Sequence, residues 1–397
     1  MPRKILHLDL DAFFCAVEEQ RDPSLRGKAF AVGGRPETRG VVASCSYAAR
    51  RFGIRSAMPM ARAVKLCPHL IIVSAHFDAY QAASQQVMAR LHQLTALVEQ
   101  LSIDEAFLDV SDLPEPAELL ARRLQATINA DLDLPCSLGV ASNKLVAKIA
   151  NDVGKAAARS DQPPNALQVV PPGQEAAFLA PLPVEALWGV GPKTTERLHG
   201  LGLRTIGDLA RWPEADLMRR FGQHGHDLAR HSWGIDERPV VTEHEAKSIS
   251  QETTFARDIT DGSTLQETLR HQSEQVGYRL RRKGLNGTTV KLKLRWADFT
   301  TLTRQVTLEQ PTNLDDDIYA AALQLFEKTW PPGKRVRLIG VGVSGFETAA
   351  YQLELWSDPQ LAQTRRLQSV LDELRERFGR QAIQRGSHLL RDELEGE

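Results

Sequence analysis

Two acidic segments set inside apolar runs constrain this chain more than anything else in it. Near the N-terminus, residues 5–11 alternate: Leu6, Leu8 and Leu10 point one way and His7, Asp9 and Asp11 the other, which is the period of a half-buried strand. Far downstream, Leu101-Ser102-Ile103-Asp104-Glu105-Ala106-Phe107-Leu108-Asp109-Val110 places two adjacent carboxylates in a second apolar run. Acid clusters so far apart meet around divalent metal only if a sheet brings them together. On an ideal strand Asp104 and Glu105 would point to opposite faces, so the backbone must turn or bulge there, and both are expected at a hairpin tip. Asp11 directly precedes the amphipathic run from Ala12 to Gln20 and reads as its N-cap; Asp9 has no such structural role.

At 397 residues the chain is too long for one ordinary core, and about two to four domains are expected. Lysine plus arginine (49) nearly cancels aspartate plus glutamate (50), so any basic surface must be local. Cys15, Cys45, Cys67 and Cys136 form no C-x-x-C pair and no zinc-like spacing with histidine, and they read as reduced thiols. The apolar N-terminal run is broken at His7 and Asp9, unlike a signal peptide or a membrane span. A soluble, cytoplasmic protein is expected.

The remaining patterns divide the chain. Residues 45–55 read as a helix ended by Gly53, with Tyr47, Arg50 and Arg51 on one face, suited either to a phosphate-rich ligand or to a solvated basic surface. Phe13 and Phe14 are adjacent helix residues about 100° apart, so one can face the core and the other a site. Helical spacing over 77–97, the acidic hairpin, a helix over 116–129, a strand over 136–140 and a helix from Ser142 predict an α+β domain with an antiparallel sheet. Further on, Leu187-Trp188-Gly189-Val190-Gly191-Pro192-Lys193, with Gly202 as a stop, predicts a helix-hairpin-helix that offers backbone N–H groups to phosphate; a plain turn is the alternative. Beyond residue 245 the order is βαββαβ, the ferredoxin-like split motif. In its second strand Val290, Leu292, Leu294 and Trp296 form one face and Lys291, Lys293 and Arg295 the other, and the fourth strand adds Arg335 and Arg337. Rows of like charge repel unless an anion lies along them.

Asp9-Leu10-Asp11-Ala12-Phe13-Phe14 together with Ser102-Ile103-Asp104-Glu105-Ala106-Phe107 resembles the paired metal-binding motifs of Y-family translesion DNA polymerases, in the bacterial DNA polymerase IV branch. The resemblance implies a right-hand polymerase: palm over 1–11 and 77–165, fingers over 12–76, a helix-hairpin-helix thumb over 166–232, a linker over 233–244, a little finger over 245–350 and a tail over 351–397. It implies two Mg²⁺ ions held by Asp9, Asp104, Glu105 and the Leu10 carbonyl, and phosphoryl transfer to a primer 3′-hydroxyl. Tyr47, Arg50, Ser44 and Lys155 match triphosphate contacts, although the Lys-Pro-Asn/Asp-Gly pattern usual after the lysine is here Lys155-Ala156-Ala157-Ala158. Phe14 matches the steric gate that rejects ribonucleotides, and Val41, Ala43 and Ala57 match the small residues over the nascent base pair. Gly189, Gly191, Lys193 and the basic strand residues would hold primer–template DNA. Gln352-Leu353-Glu354-Leu355-Trp356 resembles a sliding-clamp peptide, with a short connecting segment as the alternative. A monomer with no membrane partner is expected. A DNA-binding scaffold of polymerase ancestry or a nucleotidyl cyclase are the rival readings; the intact Asp9, Asp104, Glu105, Tyr47, Arg50 and Phe14 speak against the first, and the helix-hairpin-helix and basic sheet against the second.

Overall fold

The first acidic strand, β1 (Ile5–Leu10), is buried along nearly its whole length, with only Asp9 half-exposed, because it runs through the middle of a sheet. After α1 (Phe13–Arg21) comes a small sheet of β2 (Phe30–Gly33), β3 (Val42–Cys45) and, beyond α2 (Tyr47–Arg50) and α3 (Met60–Leu66), β4 (Ile71–Val73). The chain then re-enters the first sheet through α4 (Phe77–Leu94), β5 (Val98–Gln100), β6 (Glu105–Asp109), α5 (Ala117–Leu132), β7 (Cys136–Ala141), α6 (Lys144–Ala157) and β8 (Leu167–Val169). The sheet order is β5-β6-β1-β7-β8, and that of the small sheet β3-β2-β4. This computed structural model describes residues 2–158, 162–243, 245–346, 359–379 and 383, so the segment from Gln352 to Trp356 lies outside the described residues. Among the described residues no helix is long and apolar enough to cross a membrane.

The alternation in β1 sorts its side chains between two cores. Leu6, Leu8 and Leu10 pack with Phe13, Tyr80, Leu91 and Ile128 on the α4/α5 side. Ile5 and Phe107 pack on the other side with Leu145 and Ile149 of α6 and with Leu179 and Leu198 of the helices that follow. Two expectations change here. β8 pairs parallel with β7 through Leu138↔Leu167, so the sheet continues past residue 165, where the sequence placed its end. The helix from Ser142, which the sequence placed ahead of Lys155, runs on through it as α6.

Helix α6 reaches the sheet at a glycine. A Cβ on Gly139 of β7 would lie 1.9 Å from the Ala147 carbonyl oxygen and 2.6 Å from the Asn151 nitrogen, both backbone atoms of α6. Gly139→Ala should therefore push the helix off the sheet and destabilise the protein by about 1–3 kcal/mol. A melting temperature equal to the wild type's would show that α6 has room to yield.

The helices α7 (Glu175–Leu179), α8 (Pro192–Gly200), α9 (Ile206–Ala210), α10 (Glu214–Phe221) and α11 (Gln223–Ser232) complete the first of two compact units, Met1–His244. The stretch expected as a linker from residue 233 is fastened to the first unit as far as Val241. Asp236 accepts from the Leu145 nitrogen at 3.0 Å, and the buried Lys144–Glu99 pair (2.6 Å) also holds the Pro239 carbonyl and the Val241 nitrogen.

The second unit, Glu245–Glu397, contains β9 (Ser248–Ile259), α12 (Gly262–Arg282), β10 (Gly287–Trp296), β11 (Thr301–Thr312), α13 (Asp315–Thr329), β12 (Val336–Phe346) and α14 (Pro359–Phe378). Its sheet runs β11-β10-β12-β9 with all neighbours antiparallel, so both βαβ units are split: β12 lies between β9 and β10, and β10 between β11 and β12. Val290, Leu292, Leu294 and Trp296 pack under α12 and α13. Arg281 lies inside this unit, bonded to Asp315 (2.8 Å) and to Asp372 of α14 (2.6 Å), so its charge is compensated there. Burial pushes the Asp315 carboxyl up to about 6.

Candidate active site

The turn between β5 and β6 closes where Leu101 and Ser102 donate their backbone N–H groups to the Glu105 carbonyl, at 2.9 and 3.3 Å. Asp104 is thus the last residue of the turn and Glu105 the first of β6, which is how two adjacent carboxylates escape strict alternation. β1 lies alongside: Asp9 pairs with Glu105 in the antiparallel register, and the Leu10 nitrogen donates to the Asp104 carbonyl at 3.0 Å. Asp9, Leu10, Asp104 and Glu105 come together at one end of the central strands.

Their side chains are held separately. Glu105 Oε1 takes hydrogen bonds from His7 Nε2 (2.6 Å) and from Lys148 Nζ of α6. His7 is fully buried and its Nδ1 accepts from Asn151 (3.0 Å), which fixes Nε2–H toward the carboxylate. Burial lowers the pKa of His7, consistent with a neutral ring. Burial raises that of Glu105, but the hydrogen bonds from His7 and Lys148 and the Lys148 charge outweigh it and hold the carboxyl at about 2. Asp9 Oδ1 accepts from Lys155 Nζ at 2.5 Å. Asp104 accepts from Ser102 Oγ at 2.5 Å, and burial above all, then the charges of Asp9 and Glu105, raise its pKa.

Asp11 does not cap α1. The cap residue is Ala12, in the left-handed region at φ 48° with no side-chain bond to the helix. Asp11 is instead fully buried, accepting from Ser137 Oγ (2.8 Å) and the Asn165 nitrogen (3.0 Å), and Lys155 Nζ lies 3.3 Å from it. The alternation that aligned it with His7 and Asp9 was the correct signal, and the amphipathic run that follows was the misleading one.

A cavity of about 280 Å³ opens over this end of the sheet, lined by Asp9, Leu10, Phe14, Ala43, Ser44, Tyr47, Arg50, Asp104 and Lys155 among others. The Arg50 guanidinium lies 4.4 Å over the Tyr47 ring, and its buried Nε has no hydrogen-bond partner among the described residues, a donor waiting for an acceptor. Burial raises the Tyr47 hydroxyl above its ordinary pKa, so it stays a neutral donor. Phe14 is half-buried, its ring stacked on Tyr80 at 4.3 Å and 10°, while Phe13 lies in the core. Val41 and Ala57 do not line the cavity; both are exposed beside β3, where the Ala57 nitrogen donates to the Val42 carbonyl at 2.8 Å. Glu105 also falls outside the lining, turned toward His7 and Lys148.

The other sequence-assigned residues lie elsewhere. Gly189 takes φ 96°, Gly191 caps α8, Pro192 is its first residue, and Lys193 is exposed beside them. In the second unit Lys291, Lys293 and Arg295 stand on the sheet face opposite the helices, Lys291 and Lys293 facing Gly342 and Gly340 across the β10–β12 ladder. Lys293 pairs with Glu252 at 2.6 Å, and the Arg337 guanidinium covers Phe299 at 4.3 Å. Arg335 precedes β12 instead of sitting in it.

Among the described residues no three carboxylate, imidazole or thiol side chains converge on a single point. The donor set nonetheless fits a hard divalent cation: it is oxygen-only, from Asp9, the Leu10 carbonyl, Asp104 and Glu105. Two ammonium groups, those of Lys148 and Lys155, already neutralise carboxylates of that set. Lys148, His7 and Asp11 were missed as site residues. Lys148 could have been found by helical spacing, since it lies two turns before Lys155 on the same helix.

Comparison with known proteins supplies the family. Residues 8–152 match the impB/mucB/samB family, residues 172–203 the helix-hairpin-helix motif of the IMS family, and residues 246–355 the impB/mucB/samB family C-terminal domain. The chain is 39% identical to DNA polymerase IV of Dehalococcoides mccartyi (strain CBDB1) over 388 residues, 97% of each chain. It is 40% identical to DNA polymerase IV of Listeria monocytogenes serotype 4b (strain F2365), over 88% of this chain and 97% of that one. A Y-family DNA polymerase chimera superposes with a TM-score of 0.76 at 25% identity, covering 86% of this chain and 99% of its own. DinB from Sulfolobus solfataricus gives a TM-score of 0.58 at the same identity and coverage. With family models, relatives and solved structures in agreement over nearly the whole length, the chain belongs to the impB/mucB/samB family, in the DNA polymerase IV branch of the Y-family DNA polymerases.

Proposed function

We propose that this DNA-directed DNA polymerase works at low fidelity in translesion synthesis, using two Mg²⁺ ions to transfer deoxynucleotides to a primer 3′-hydroxyl with release of pyrophosphate. The observation that carries this reading is the single end of the sheet where Asp9, Leu10 and Asp104 meet a cavity that also presents Phe14, Tyr47, Arg50 and Lys155. Bound Mg²⁺ supplies charge neutralisation of the triphosphate and lowers the pKa of the primer hydroxyl. Asp9 and Asp104 would hold both ions, Glu105 the primer-side one and the Leu10 carbonyl the nucleotide-side one.

The chain's own groups do the rest. Arg50, Tyr47, Lys155 and more weakly Ser44 bind the phosphates, and the unpaired Arg50 Nε gives the guanidinium a reason to seek them. Phe14 closes the space beside the sugar. Val41, Ala43 and Ala57 cover the nascent base pair with little bulk, which admits misshapen templates at the expense of fidelity. We assign residues 1–11 and 77–165 to the palm, which β8 extends to Val169, 12–76 to the fingers, 170–232 to the thumb and 245–350 to the little finger. Gln352, Leu353, Leu355 and Trp356 would dock on a sliding clamp. The protein would act as a cytoplasmic monomer.

The deciding experiment is extension of a primer on damaged and undamaged templates. Magnesium-dependent synthesis across the damage is expected, and no extension on either template would end the polymerase reading. The basic sheet would grip the DNA backbone through Lys291, Lys293, Arg295, Arg335 and Arg337, and the thumb through Gly189, Gly191 and Lys193. Lys291→Ala should therefore weaken DNA binding irrespective of sequence and lower the slope of log affinity against log salt by about one. An unchanged slope would remove Lys291 from the DNA-binding face.

A further inference from the structure

Helix α6 presents two cations to the carboxylates of the candidate active site. Lys148 and Lys155 lie seven residues apart, two turns and roughly 10 Å along the helix. The ammonium of Lys148 sits on Glu105 and that of Lys155 on Asp9. The close approach at Gly139 holds the helix near enough for both contacts. Each pair has a second anchor. Glu105 is also held by the fully buried His7, and Lys155 also lies 3.3 Å from Asp11. Asp11 is fixed by Ser137 and the Asn165 nitrogen and has no exposed surface, whereas Asp9 is about a quarter exposed, at 26%. Asp104 has no ion pair among the described residues.

We propose that Lys148 and Lys155 are internal counter-ions for the metal-binding carboxylates. In the metal-free enzyme they neutralise Glu105 and Asp9 and hold them apart. Divalent cation displaces them, and incoming nucleotide favours the exchange by giving the Lys155 ammonium a phosphate in place of Asp9, while Asp11 remains its buried partner throughout. Lys148 and Asp11 are positioning residues, acting on Glu105 and Lys155 rather than on substrate. The inference rests on the metal and polymerase reading above. Its consequence is that cation binds the free protein weakly and binds cooperatively with nucleotide.

Mn²⁺ binding to the full-length protein, followed by the electron paramagnetic resonance of free Mn²⁺ without DNA or nucleotide, tests it. Lys148→Met and Lys155→Met should each tighten Mn²⁺ binding by at least ~5-fold, because a competing charge at contact distance is removed. Lys148→Arg and Lys155→Arg, which keep the charge, should stay within ~2-fold of wild type. Arg50→Gln removes a cation from the same cavity that pairs with none of the three carboxylates, so its change should be below ~2-fold. Unchanged affinity in the lysine-to-methionine variants, or a change no larger than that of Arg50→Gln, would overturn the counter-ion role. Melting curves give a second readout: Mn²⁺ should raise the Tm of Lys148→Met by more than it raises that of wild type, whereas an equal increment would mark a purely structural ion pair and overturn the proposal. Failure of wild type and every variant to bind Mn²⁺, with or without deoxynucleotide, would overturn the metal reading and this inference with it. Absence of primer extension with the Mn²⁺ pattern intact would instead remove only the polymerase reading.

Discussion

Replacing Asp104 by alanine should reduce primer extension by roughly 10³-fold or more, the loss expected when several kcal/mol of transition-state charge stabilisation is removed, while DNA binding is retained. Asp104 is the cleanest of the acidic positions to test. Its side chain bonds only to Ser102 among the described contacts, so truncation leaves no buried group without a partner. Glu105→Ala would be harder to interpret, since it strands the buried His7 N–H and the Lys148 ammonium together. Extension assays with matched DNA-binding titrations check the prediction. Residual synthesis near the wild-type rate would show that the cation-binding residues lie elsewhere.

Phe14→Ala should admit ribonucleotides. Forcing a hydroxyl against a packed ring costs about 1–3 kcal/mol or more, so the preference for deoxyribonucleotides should fall by roughly 10- to 100-fold. The ring's support stays in place after truncation, because the Tyr80 hydroxyl is tied to the buried Glu18 at 2.5 Å. The cavity should therefore widen beside the sugar without collapse of the wall behind it. Incorporation of each nucleotide with its ribo-analogue measures this directly, and unchanged selectivity would take Phe14 out of the gate.

How much of this was legible in the sequence depended on the range of the forces involved. β1 and β6 were readable because alternation and an adjacent acidic pair are local patterns, and the need for a turn at Asp104 follows from strand geometry alone. The βαββαβ order of the second unit was readable for the same reason. The role of Asp11 was not: a carboxylate ahead of a helix ordinarily caps it, and only the sheet shows that β7 brings Ser137 beneath this one and the loop after α6 brings the Asn165 nitrogen. Likewise, nothing local marks Lys148 as a partner of Glu105, because the contact spans β6 and α6 and depends on Gly139 of β7 lacking a side chain. The anchoring of the linker stretch after Trp233 was not legible either, since a polar, irregular segment gives no sign that the Glu99–Lys144 pair will pin it.

The four cysteines carry a practical consequence. All are buried, and burial pushes the Cys15 thiol up to about 12 and raises those of Cys45 and Cys136 as well. Thiolate is the reactive form, so alkylating reagents and mild oxidants should leave the folded protein untouched. A cysteine introduced on the exposed end of α8 or on the rim of the basic sheet could then carry a fluorophore or spin label without removal of the native thiols. The movements of this protein along DNA could be followed in its otherwise unaltered sequence.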